Sequence, residues 1–353
     1  MYDVVVIGGG QAGLTAAYML QHQKLKYLVL DGGDCIGASW RKRFSSLTLF
    51  TPNNLNRLAG FVAPHGRGEY LTKDEFADYL HEYVEHYELN IQLNSKVTRV
   101  RQLQSGFEIE VNGEDVITAN QVVLASGAFQ TPVVPTFAQN MPANVQQYSP
   151  DNLAGVSFDN KHILVVGDGA SGRQIAKQYV GNNMVTLACG KKRHLFPQRI
   201  LGFEVFAMLK RFGLLFKDAD TKAAQRMRQR DPFPDTQIND KALKTAGVEF
   251  APRLMSFSEG AEFEGGNEQS FDVVIWAMGY VNHYDFLDIP NAFENGRLVI
   301  KNGFTNIEGL YTLSTPWQTC RASALVCGIE RDMKLIFPTL VKRNRSYKIQ
   351  SVA

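Results

Sequence analysis

The chain has 353 residues, of which 44% are hydrophobic and 20% are charged, a balance typical of a globular protein with a full core. Its length favours two domains over one. Lys and Arg total 37 and Asp and Glu total 35, so the formal charge of +2 provides no bulk attraction to nucleic acid. The composition also excludes an intrinsically disordered chain.

Several features predict a cytoplasmic protein outside the membrane. The longest stretch without a charged side chain, Val116–Pro150, contains Pro132, Pro135 and Pro142 and many amides, which argues against a spanning helix. A predicted strand starts at Tyr2, so we expect no signal peptide. The four cysteines are widely spread and form no CxxC pair, as expected in a reducing compartment. No His or Cys spacing is typical of a metal site, and we predict no metal.

Residues 1–31 form one predicted unit. The β-branched run Asp3–Ile7 is typical of a strand buried on both faces of a parallel sheet. A glycine turn leads into a predicted helix over Ala12–Gln23, and Tyr27–Leu30 is the next buried strand, which ends on Asp31. A strand, a glycine turn, a helix and a strand ending on an acid are typical of a nucleotide-binding βαβ unit.

The same order returns in the middle of the chain. His162–Val166 is a predicted strand, Gly167–Gly172 the turn, Arg173–Val180 a helix and Met184–Cys189 a strand. The two glycine turns begin 159 residues apart (167 − 8 = 159), which we interpret as an internal duplication. The predicted fold class is therefore α/β, with two Rossmann-like dinucleotide-binding domains in a three-layer, glutathione-reductase-like arrangement.

The remaining elements make the second unit an insertion in the first. We predict helices over Lys73–Glu88, Glu204–Phe212, Asp218–Arg230 and Arg321–Phe337. We predict strands over Val97–Val100, Phe107–Val111, Val116–Thr118, Gln121–Ala125 and Phe271–Ala277, with a hairpin turn at Asn112-Gly113. Boundaries near Asp159 and residue 280 give a first domain of 1–158 and 281–353 and a second of 159–280.

The first glycine turn, Gly8-Gly9-Gly10-Gln11-Ala12-Gly13, fits the GxGxxG pattern of dinucleotide sites. Gly8 permits the tight turn, Gly10 lets backbone amides approach a pyrophosphate, and Gly13 allows close packing of helix on strand. The helix start at Gln11 and Ala12 presents free N–H groups to the phosphates. Asp31 lies 18 residues past Gly13 (31 − 13 = 18), where its carboxylate can accept hydrogen bonds from ribose hydroxyls.

The second turn, Gly167-Asp168-Gly169-Ala170-Ser171-Gly172, repeats the pattern, but its second strand ends differently. No acid stands near Cys189, and the basic run Lys191-Lys192-Arg193-His194 follows instead. A basic cluster can neutralise a ribose 2′-phosphate, which a carboxylate would repel. We therefore assign FAD to the first site and NADPH to the second, with NADH left open. The alternative is that these basic residues form only a solvated turn.

Two further segments are predicted to cross between the domains near the cofactors. Ala125, Ser126 and Gly127 end one buried strand, and Gly279 follows another, Phe271–Ala277. Such segments join the domains of two-nucleotide flavoproteins, although strands that end in small residues are common. Val97 is a further candidate for the first site.

With these residues in place, the chain resembles the bacterial flavin-containing monooxygenase family over nearly its whole length. The resemblance rests on segments beyond the glycine turns, namely Asp34–Trp40, Ser46–Pro52, His194–Gly202, Gly309–Tyr311 and Pro316–Gln318. It implies one active site, where the isoalloxazine ring meets the nicotinamide. It also implies that Trp40, Leu49, Thr51 and Pro52 lie against the flavin, and that Trp317 and Gln318 close its other side.

Two departures from the family pattern bear on oxygen transfer. The family fingerprint FxGxxxHxxx(Y/F) is matched by Gln146–Asn152, with Tyr148 in place of the histidine and Asn152 in place of the aromatic residue. Pro52 stands where larger relatives place an asparagine beside the flavin. These substitutions weaken the prediction of oxygen transfer more than that of flavin reduction.

The resemblance implies a FAD-dependent, NADPH-using monooxygenase that forms a C4a-hydroperoxyflavin and oxygenates a sulfide, an amine or a ketone. The flavin carries this chemistry, so no residue is assigned as a certain catalytic group. The expected partners are a small-molecule substrate and dioxygen, with no nucleic acid or membrane and with a homodimer left open. Two alternatives remain: a disulfide reductase, which needs a dithiol that the sequence lacks, and a flavin electron carrier or redox sensor without oxygen transfer.

Overall fold

The structure, a computed structural model, describes residues 1–66 and 69–350, with side chains described as far as Tyr347. The α-helices of the described residues span Gln11–His22, Ala38–Arg41, Lys73–Tyr87, Ala170–Tyr179, Val205–Arg211, Lys222–Arg230, Asp240–Ala246 and Val326–Gln350. Short 3₁₀ helices span Asn53–Leu55, Thr136–Asn140, Pro290–Ala292 and Arg321–Ala324. None of the helices in these ranges combines the length and the apolar character that crossing a bilayer requires.

The first sheet is built around the strand Tyr2–Ile7, which pairs in parallel with Tyr27–Leu30 on one side and Asp115–Leu124 on the other. Its other strands are Ile91–Gln92, Val97–Gln102, Phe107–Val111, Leu287–Asp288, Ile300–Lys301, Phe304–Thr305 and Leu310–Thr312. The Asn112-Gly113 hairpin turn is confirmed, since both residues have the positive φ (55° and 82°) that such a turn requires.

Asp115–Leu124 corrects the expectation of two separate strands at Val116–Thr118 and Gln121–Ala125. It is one strand that pairs antiparallel with Phe107–Val111 through its first half and parallel with Tyr2–Ile7 through its second half. The first half is mostly solvated and the second half is buried, because only the second half lies between two layers. This change of exposure along a continuous strand explains why the sequence reads as two segments.

The second sheet repeats the central arrangement of the first. His162–Val166 pairs in parallel with Met184–Ala188 and with Val273–Trp276, and the sheet is completed by Glu249–Ala251 and Gln146–Tyr148. The expected α/β class with two Rossmann-like units is therefore confirmed. The domain boundary near Asp159 stays a prediction, and the pairing of Gln146–Tyr148 with Val273–Trp276 favours a boundary ahead of residue 146.

The remaining strands form short ribbons outside the two sheets. They are Thr131–Pro132 with Tyr280–Val281, Leu195–Pro197 with Phe233–Asp235, Arg199–Ile200 with Phe203–Glu204, Leu254–Phe257 with Ala261–Phe263 and Glu268–Gln269, and Phe293–Glu294 with Arg297–Leu298. The helix predicted over Asp218–Arg230 begins later, at Lys222, because the Thr221 side chain caps it by accepting a hydrogen bond from Ala224 N at 3.3 Å.

The carboxyl-terminal stretch completes the first unit. Leu310–Thr312 pairs in parallel with Asp115–Leu124, and the helix Val326–Gln350 packs Met333, Ile336 and Leu340 into the core of that unit. The helix starts at Val326 instead of Arg321, because Leu325 is extended (φ −108°, ψ 155°) and separates it from the 3₁₀ turn Arg321–Ala324. Ser323 Oγ fixes that turn by accepting hydrogen bonds from Thr319 N at 3.0 Å and Cys320 N at 3.2 Å.

A short segment after Trp40 packs against the second sheet and so connects the two units. Phe44 is fully buried among side chains of the second core, including Ile163 and Val165. Its N–H donates to Pro150 O at 3.1 Å, and Ser46 N donates to Gln178 Oε1 at 2.9 Å. Phe44 therefore sets the position of the neighbouring segments that carry Trp40 and Thr51.

Phe44→Ala is expected to destabilise the protein by about 3–5 kcal/mol, since removal of a buried phenyl ring loses its contacts and leaves a cavity. The shift of the unfolding midpoint in urea measures this effect. Phe44→Leu, which keeps much of the apolar volume, is the control and is expected to shift the midpoint much less. An unchanged midpoint for the alanine variant would show that the segment does not anchor the two units.

Candidate functional site

The first glycine turn forms a tight cradle between strand and helix. Gly8 has φ +108°, and a Cβ on it would lie 2.5 Å from Ala125 O. A Cβ on Gly13 would lie 1.8 Å from Gly8 O, so the helix touches the turn through backbone alone. Gly10 differs, because among the described residues no atom beyond its two chain neighbours lies within 4 Å of its Cβ position. The turn is thus closed on two sides and open in front of the helix start at Gln11 and Ala12, where a phosphate can approach.

The second glycine turn has the same geometry. Gly167 has φ +104°, and its Cβ position lies 2.4 Å from Ala277 O, while that of Gly172 lies 1.8 Å from Gly167 O. Apart from its chain neighbours, Gly169 has no atom of the described part of the chain within 4 Å of its Cβ position, and it precedes the helix that begins at Ala170 and Ser171. Both turns therefore fit the pyrophosphate of a dinucleotide.

Asp31 is held at the mouth of the first cradle. Its Oδ2 accepts a hydrogen bond from Gly9 N at 2.5 Å and its Oδ1 accepts one from Gly33 N at 2.7 Å. Each carboxylate oxygen keeps acceptor capacity for a ribose hydroxyl. The chain before Val97 runs alongside, since Ser95 N donates to Asp31 O at 2.8 Å, and Val97 follows two residues later at the start of the strand Val97–Gln102.

Gln11 connects the first cradle to Trp40. The Trp40 indole N–H donates to Gln11 Oε1 at 3.2 Å, and the Trp40 ring meets Phe76 edge to face with centroids 4.9 Å apart. Trp40 stays half-buried. The indole is therefore fixed at the helix start of the cradle.

The segment expected beside a flavin is buried. Leu49 packs in the core of the first unit, and Thr51 and Pro52 are buried as well. Thr51 Oγ1 donates to Asn56 Oδ1, and Asn56 Nδ2 donates back to Thr51 O at 2.9 Å. Asn56 is fully buried and was not found from the sequence, which offers no signal that one asparagine in Asn53–Asn56 would turn inward.

Trp317 and Gln318 lie on a constrained turn. Trp317 has φ +61°, a left-handed conformation that costs roughly 1–2 kcal/mol for a residue with a side chain. The Arg321 guanidinium lies 5.8 Å from the Trp317 ring centroid, and burial lowers the pKa of Arg321. Gln318 Oε1 accepts from Thr315 Oγ1 at 2.8 Å, whereas its buried Nε2 has no partner among the described residues.

The four basic residues of residues 191–194 differ in their exposure and in their contacts. Lys191, Lys192 and His194 are exposed. Arg193 is only partly exposed, because its Nε donates to Asp168 Oδ1 at 3.0 Å. Asp168 is itself buried inside the glycine turn, and the sequence reasoning gave it no role. The predicted phosphate-binding arginine is therefore already paired with an acid.

The two predicted crossings lie side by side. Gln130 Nε2 donates to Ser126 Oγ at 2.8 Å and to Gly127 O at 3.2 Å. Thr131–Pro132 then pairs antiparallel with Tyr280–Val281, directly after Gly279. The ends of the two glycine-turn sheets are thus joined by one short ribbon.

An arginine for which the sequence predicted no role contacts this ribbon. Arg43 forms an ion pair with Asp151 at 3.2 Å and lies 4.9 Å from the Tyr280 ring centroid. The Tyr280 hydroxyl donates to Asp151 Oδ1 at 2.8 Å, and burial, the largest cause, raises the pKa of Tyr280. The phenol therefore stays protonated and keeps this bond at neutral pH.

The two residues that depart from the family fingerprint have ordinary local surroundings. Tyr148 ends a strand of the second sheet and packs against Phe158, with ring centroids 5.3 Å apart. Asn152 Oδ1 accepts from Ser149 N at 2.8 Å and so closes a turn. Both residues are explained by local packing and turn formation.

Side chains from three distant segments meet in one apolar cluster, here called the junction cluster. Its buried members are Leu55, Phe206, Leu215, Cys320 and Ala322. They come from the segment after Pro52, from the insertion that contains Val205–Arg211 and from the segment after Gln318. Segments next to the candidate flavin neighbours Pro52 and Gln318 therefore share one apolar cluster with part of the inserted unit.

Within the described residues, His, Cys, Asp and Glu side chains form no group of three or more that could hold a metal ion. All four cysteines are free thiols. The candidate site therefore has two backbone cradles, with an acid at the first and an acid–arginine pair at the second. The junction cluster adds an apolar part.

This fold and site define a two-dinucleotide oxidoreductase. A sequence profile of the family described as pyridine nucleotide-disulphide oxidoreductase matches residues 5–197, more than half of the chain, and the chain belongs to that family. It is 33% identical over 338 residues to an oxidoreductase described as CzcO-like from Geobacillus kaustophilus, covering 95% of this chain and 97% of the relative.

Two further similarities are to proteins described as monooxygenases. The fold matches that of a flavin-containing monooxygenase from Stenotrophomonas maltophilia with a TM-score of 0.80 and 22% identity, covering 97% of this chain and 98% of the other. The sequence is 25% identical to a probable indole-3-pyruvate monooxygenase, YUCCA9, from Arabidopsis thaliana over 85% of this chain and 79% of the relative. The resemblance to flavin-containing monooxygenases and the expectation of an enzyme are confirmed.

The different surroundings of Gly10 and Gly13 give a test of the first cradle. Gly10→Ala is expected to fold like the wild type and to bind FAD at least tenfold more weakly, because its methyl group enters the open phosphate approach. Gly13→Ala is the contrasting variant, and it is expected to lower the melting temperature as well, since its Cβ collides with Gly8 O. FAD titration and thermal melts measure the two effects. Wild-type FAD affinity in Gly10→Ala would contradict the phosphate position.

Proposed function

We propose that the protein is a FAD-dependent, NADPH-using monooxygenase acting on a small organic molecule with dioxygen. The observation that carries this proposal is the pair of matching cradles whose strand ends are joined by the ribbon Thr131–Pro132 and Tyr280–Val281. Dinucleotides held at these two cradles would lie at strand ends that this ribbon joins. The cytoplasmic location and the homodimer stay predictions from the sequence.

The first cradle fits FAD. Gly10 admits the diphosphate to the amides at the start of Gln11–His22, and Asp31 accepts hydrogen bonds from the adenosine ribose. Ala125 lies against Gly8 at the turn, and Ser126 and Gly127 follow it in the chain. Bound FAD supplies the capacity to accept a hydride and to activate oxygen.

The second cradle fits the nicotinamide coenzyme. Gly169 opens onto the amides at Ala170 and Ser171 in the same way. The exposed Lys191 and Lys192 and the partly exposed Arg193 supply positive charge beside the end of Met184–Ala188, where the adenosine ribose binds in such folds. This charge favours the 2′-phosphate of NADPH.

The surroundings of the candidate flavin neighbours would keep water away from the ring of a bound flavin. Trp40 is fixed by Gln11, Thr51 is fixed by Asn56, and the junction cluster adds apolar side chains from both units. Apolar surroundings that exclude water would limit the loss of flavin-activated oxygen as hydrogen peroxide. Trp317 and Gln318, on the turn beside Arg321, complete the proposed ring environment.

The thiols do not support disulfide reduction, although the family name includes it. Disulfide reductases need a reactive pair of thiols, and the thiolate is the reactive form. Burial raises the pKa of Cys327 to about 11 and that of Cys189 to about 12, and it also raises the pKa of Cys35. These groups are protonated at neutral pH, and Cys320 is fully buried.

Product stoichiometry tests the monooxygenase proposal against an electron carrier or oxidase. Purified holoenzyme with NADPH, dioxygen and thioanisole is expected to give methyl phenyl sulfoxide in an amount that accounts for most of the NADPH consumed. Hydrogen peroxide is measured in the same reaction, and a reaction without thioanisole is the control. Peroxide equal to the NADPH consumed, with no sulfoxide, would exclude oxygen transfer to this class of substrate.

Arg193→Ala tests the assignment of the second cradle. Loss of a charge-assisted bond to the 2′-phosphate is expected to raise KM for NADPH about tenfold or more, with a smaller change for NADH. Initial rates of coenzyme oxidation at varied NADPH and NADH measure both constants. Lys161→Ala, which removes an exposed charge at the start of the strand His162–Val166, away from the glycine turn at its end, is the comparison variant. Equal changes for the two coenzymes would refute contact between Arg193 and the 2′-phosphate.

A further inference from the structure

The two cradles correspond residue by residue through their backbone hydrogen bonds. Gly8 N donates to Leu30 O at 2.8 Å, and Gly167 N donates to Ala188 O at 3.1 Å. The same match holds for Ala125 N to Ile7 O with Ala277 N to Val166 O, for Asp31 N to Gln92 O with Cys189 N to Ala251 O, and for Leu14 N to Gly10 O with Arg173 N to Gly169 O. Gly9 therefore corresponds to Asp168, Asp31 to Cys189 and Leu14 to Arg173.

This correspondence shows that an acid has changed position between the copies. In the first cradle the carboxylate comes from the strand end at Asp31, and residue 9 is glycine. A Cβ on Gly9 would lie 3.0 Å from both Cβ and Oδ2 of Asp31, so residue 9 and the strand end compete for one space. In the second cradle the strand end is Cys189 and the carboxylate comes from the turn at Asp168. By the backbone correspondence, the Asp168 and Cys189 side chains are neighbours as residue 9 and Asp31 are, and burial and then the Asp168 carboxylate raise the pKa of the Cys189 thiol.

Two arginines balance the Asp168 charge in different ways. Arg173 is almost fully occupied: its Nε donates to Asp168 O at 3.0 Å, and its Nη1 donates to Ile238 O at 3.0 Å and to Asp240 Oδ1 at 2.7 Å. Its Nη2 lies 3.8 Å from Asp168 Oδ2. Arg193 meets Asp168 through Nε alone, and its Nη groups have no partner among the residues that the structure describes.

We infer that Asp168 is the residue that sets coenzyme selectivity, by holding Arg193 and by accepting hydrogen bonds from an unphosphorylated adenosine ribose at the second cradle. This inference rests on the proposed function, since it assumes a nicotinamide dinucleotide there. The Asp168 carboxylate takes the ribose-binding part that Asp31 has at the first cradle. It also repels a 2′-phosphate and shares the Arg193 charge, so the wild type accepts NADH as well as NADPH.

Binding of two fragments without nicotinamide tests this role independently of turnover. Calorimetric titration of the oxidised holoenzyme with ADP-ribose and with 2′-phospho-ADP-ribose gives the ratio of the two dissociation constants. Asp168→Asn is expected to shift this ratio at least tenfold in favour of the 2′-phosphorylated fragment. Asp240→Asn is the matched control, because it removes the other carboxylate on Arg173 without facing Arg193, and the ratio is expected to stay within twofold of the wild type.

Two results would overturn the inference. An unchanged ratio in Asp168→Asn would show that the carboxylate does not act on selectivity. A shift toward ADP-ribose would show the opposite role, in which Asp168 positions Arg193 to bind the phosphate. Full FAD content and a wild-type melting temperature establish that the variant is folded. If neither fragment binds the wild type, the proposed function of the second cradle is wrong, which is a different outcome.

A double variant that moves the acid from residue 168 to residue 189 tests the inference if Asp168→Asn does not fold. Asp168→Gly with Cys189→Asp rebuilds the arrangement of Gly9 and Asp31 at the second cradle. The double variant is expected to bind ADP-ribose within about threefold of the wild type and to bind the 2′-phosphorylated fragment at least tenfold more weakly than Asp168→Gly alone. Equal binding of the phosphorylated fragment by these two variants would contradict the equivalence of the two acid positions.

Discussion

Backbone contact at the strand–helix turn is the constraint on which the rest of the structure depends. In each cradle the carbonyl oxygen of the first glycine lies so close to the third glycine that any Cβ there would collide with it. The helix can therefore begin only in one place, with its first amides pointing out of the turn. The middle glycine, Gly10 or Gly169, lies beside those amides and faces open space. A dinucleotide site follows from this packing before any side chain is considered.

The two copies share this backbone and differ in their side chains. The first copy has Leu14 in the helix and Asp31 at the strand end, and the second has Arg173 and Cys189. The acid at Asp168 and the arginine at Arg173 occur together, because a buried carboxylate in the turn needs a buried positive partner. One fold thus provides two sites of different charge, which suits two different dinucleotides in one catalytic unit.

Much of the fold and of both cradles follows from the sequence. The buried β-branched runs, the glycine spacing and the Asn112-Gly113 turn each have a local physical cause, and each was predictable from local sequence. The continuous strand Asp115–Leu124 was not, because its exposure changes where its neighbours change, and neighbours are a tertiary property. The inward turn of Asn56 and the contact of Arg43 with Tyr280 are tertiary for the same reason.

Only one member of the Asp168–Arg193 pair was predictable, since a comparison of the two motifs within the chain identifies Asp168. Placing Gly9 over Asp168 and Asp31 over Cys189 shows that the acid is missing from one position and present at the other. Its contact with Arg193 could not be predicted, because the course of the chain after Cys189 is irregular.

The central claim is that FAD and NADPH bind at the two cradles of one chain, close enough for a hydride to pass from the nicotinamide to the flavin. Anaerobic mixing of the FAD-loaded protein with NADPH, and with NADPH deuterated at the transferred position of C4, tests it most directly. Loss of the oxidised flavin absorbance in a single phase, slower with deuterium, is the predicted result. Oxidised flavin that persists at saturating NADPH would contradict it.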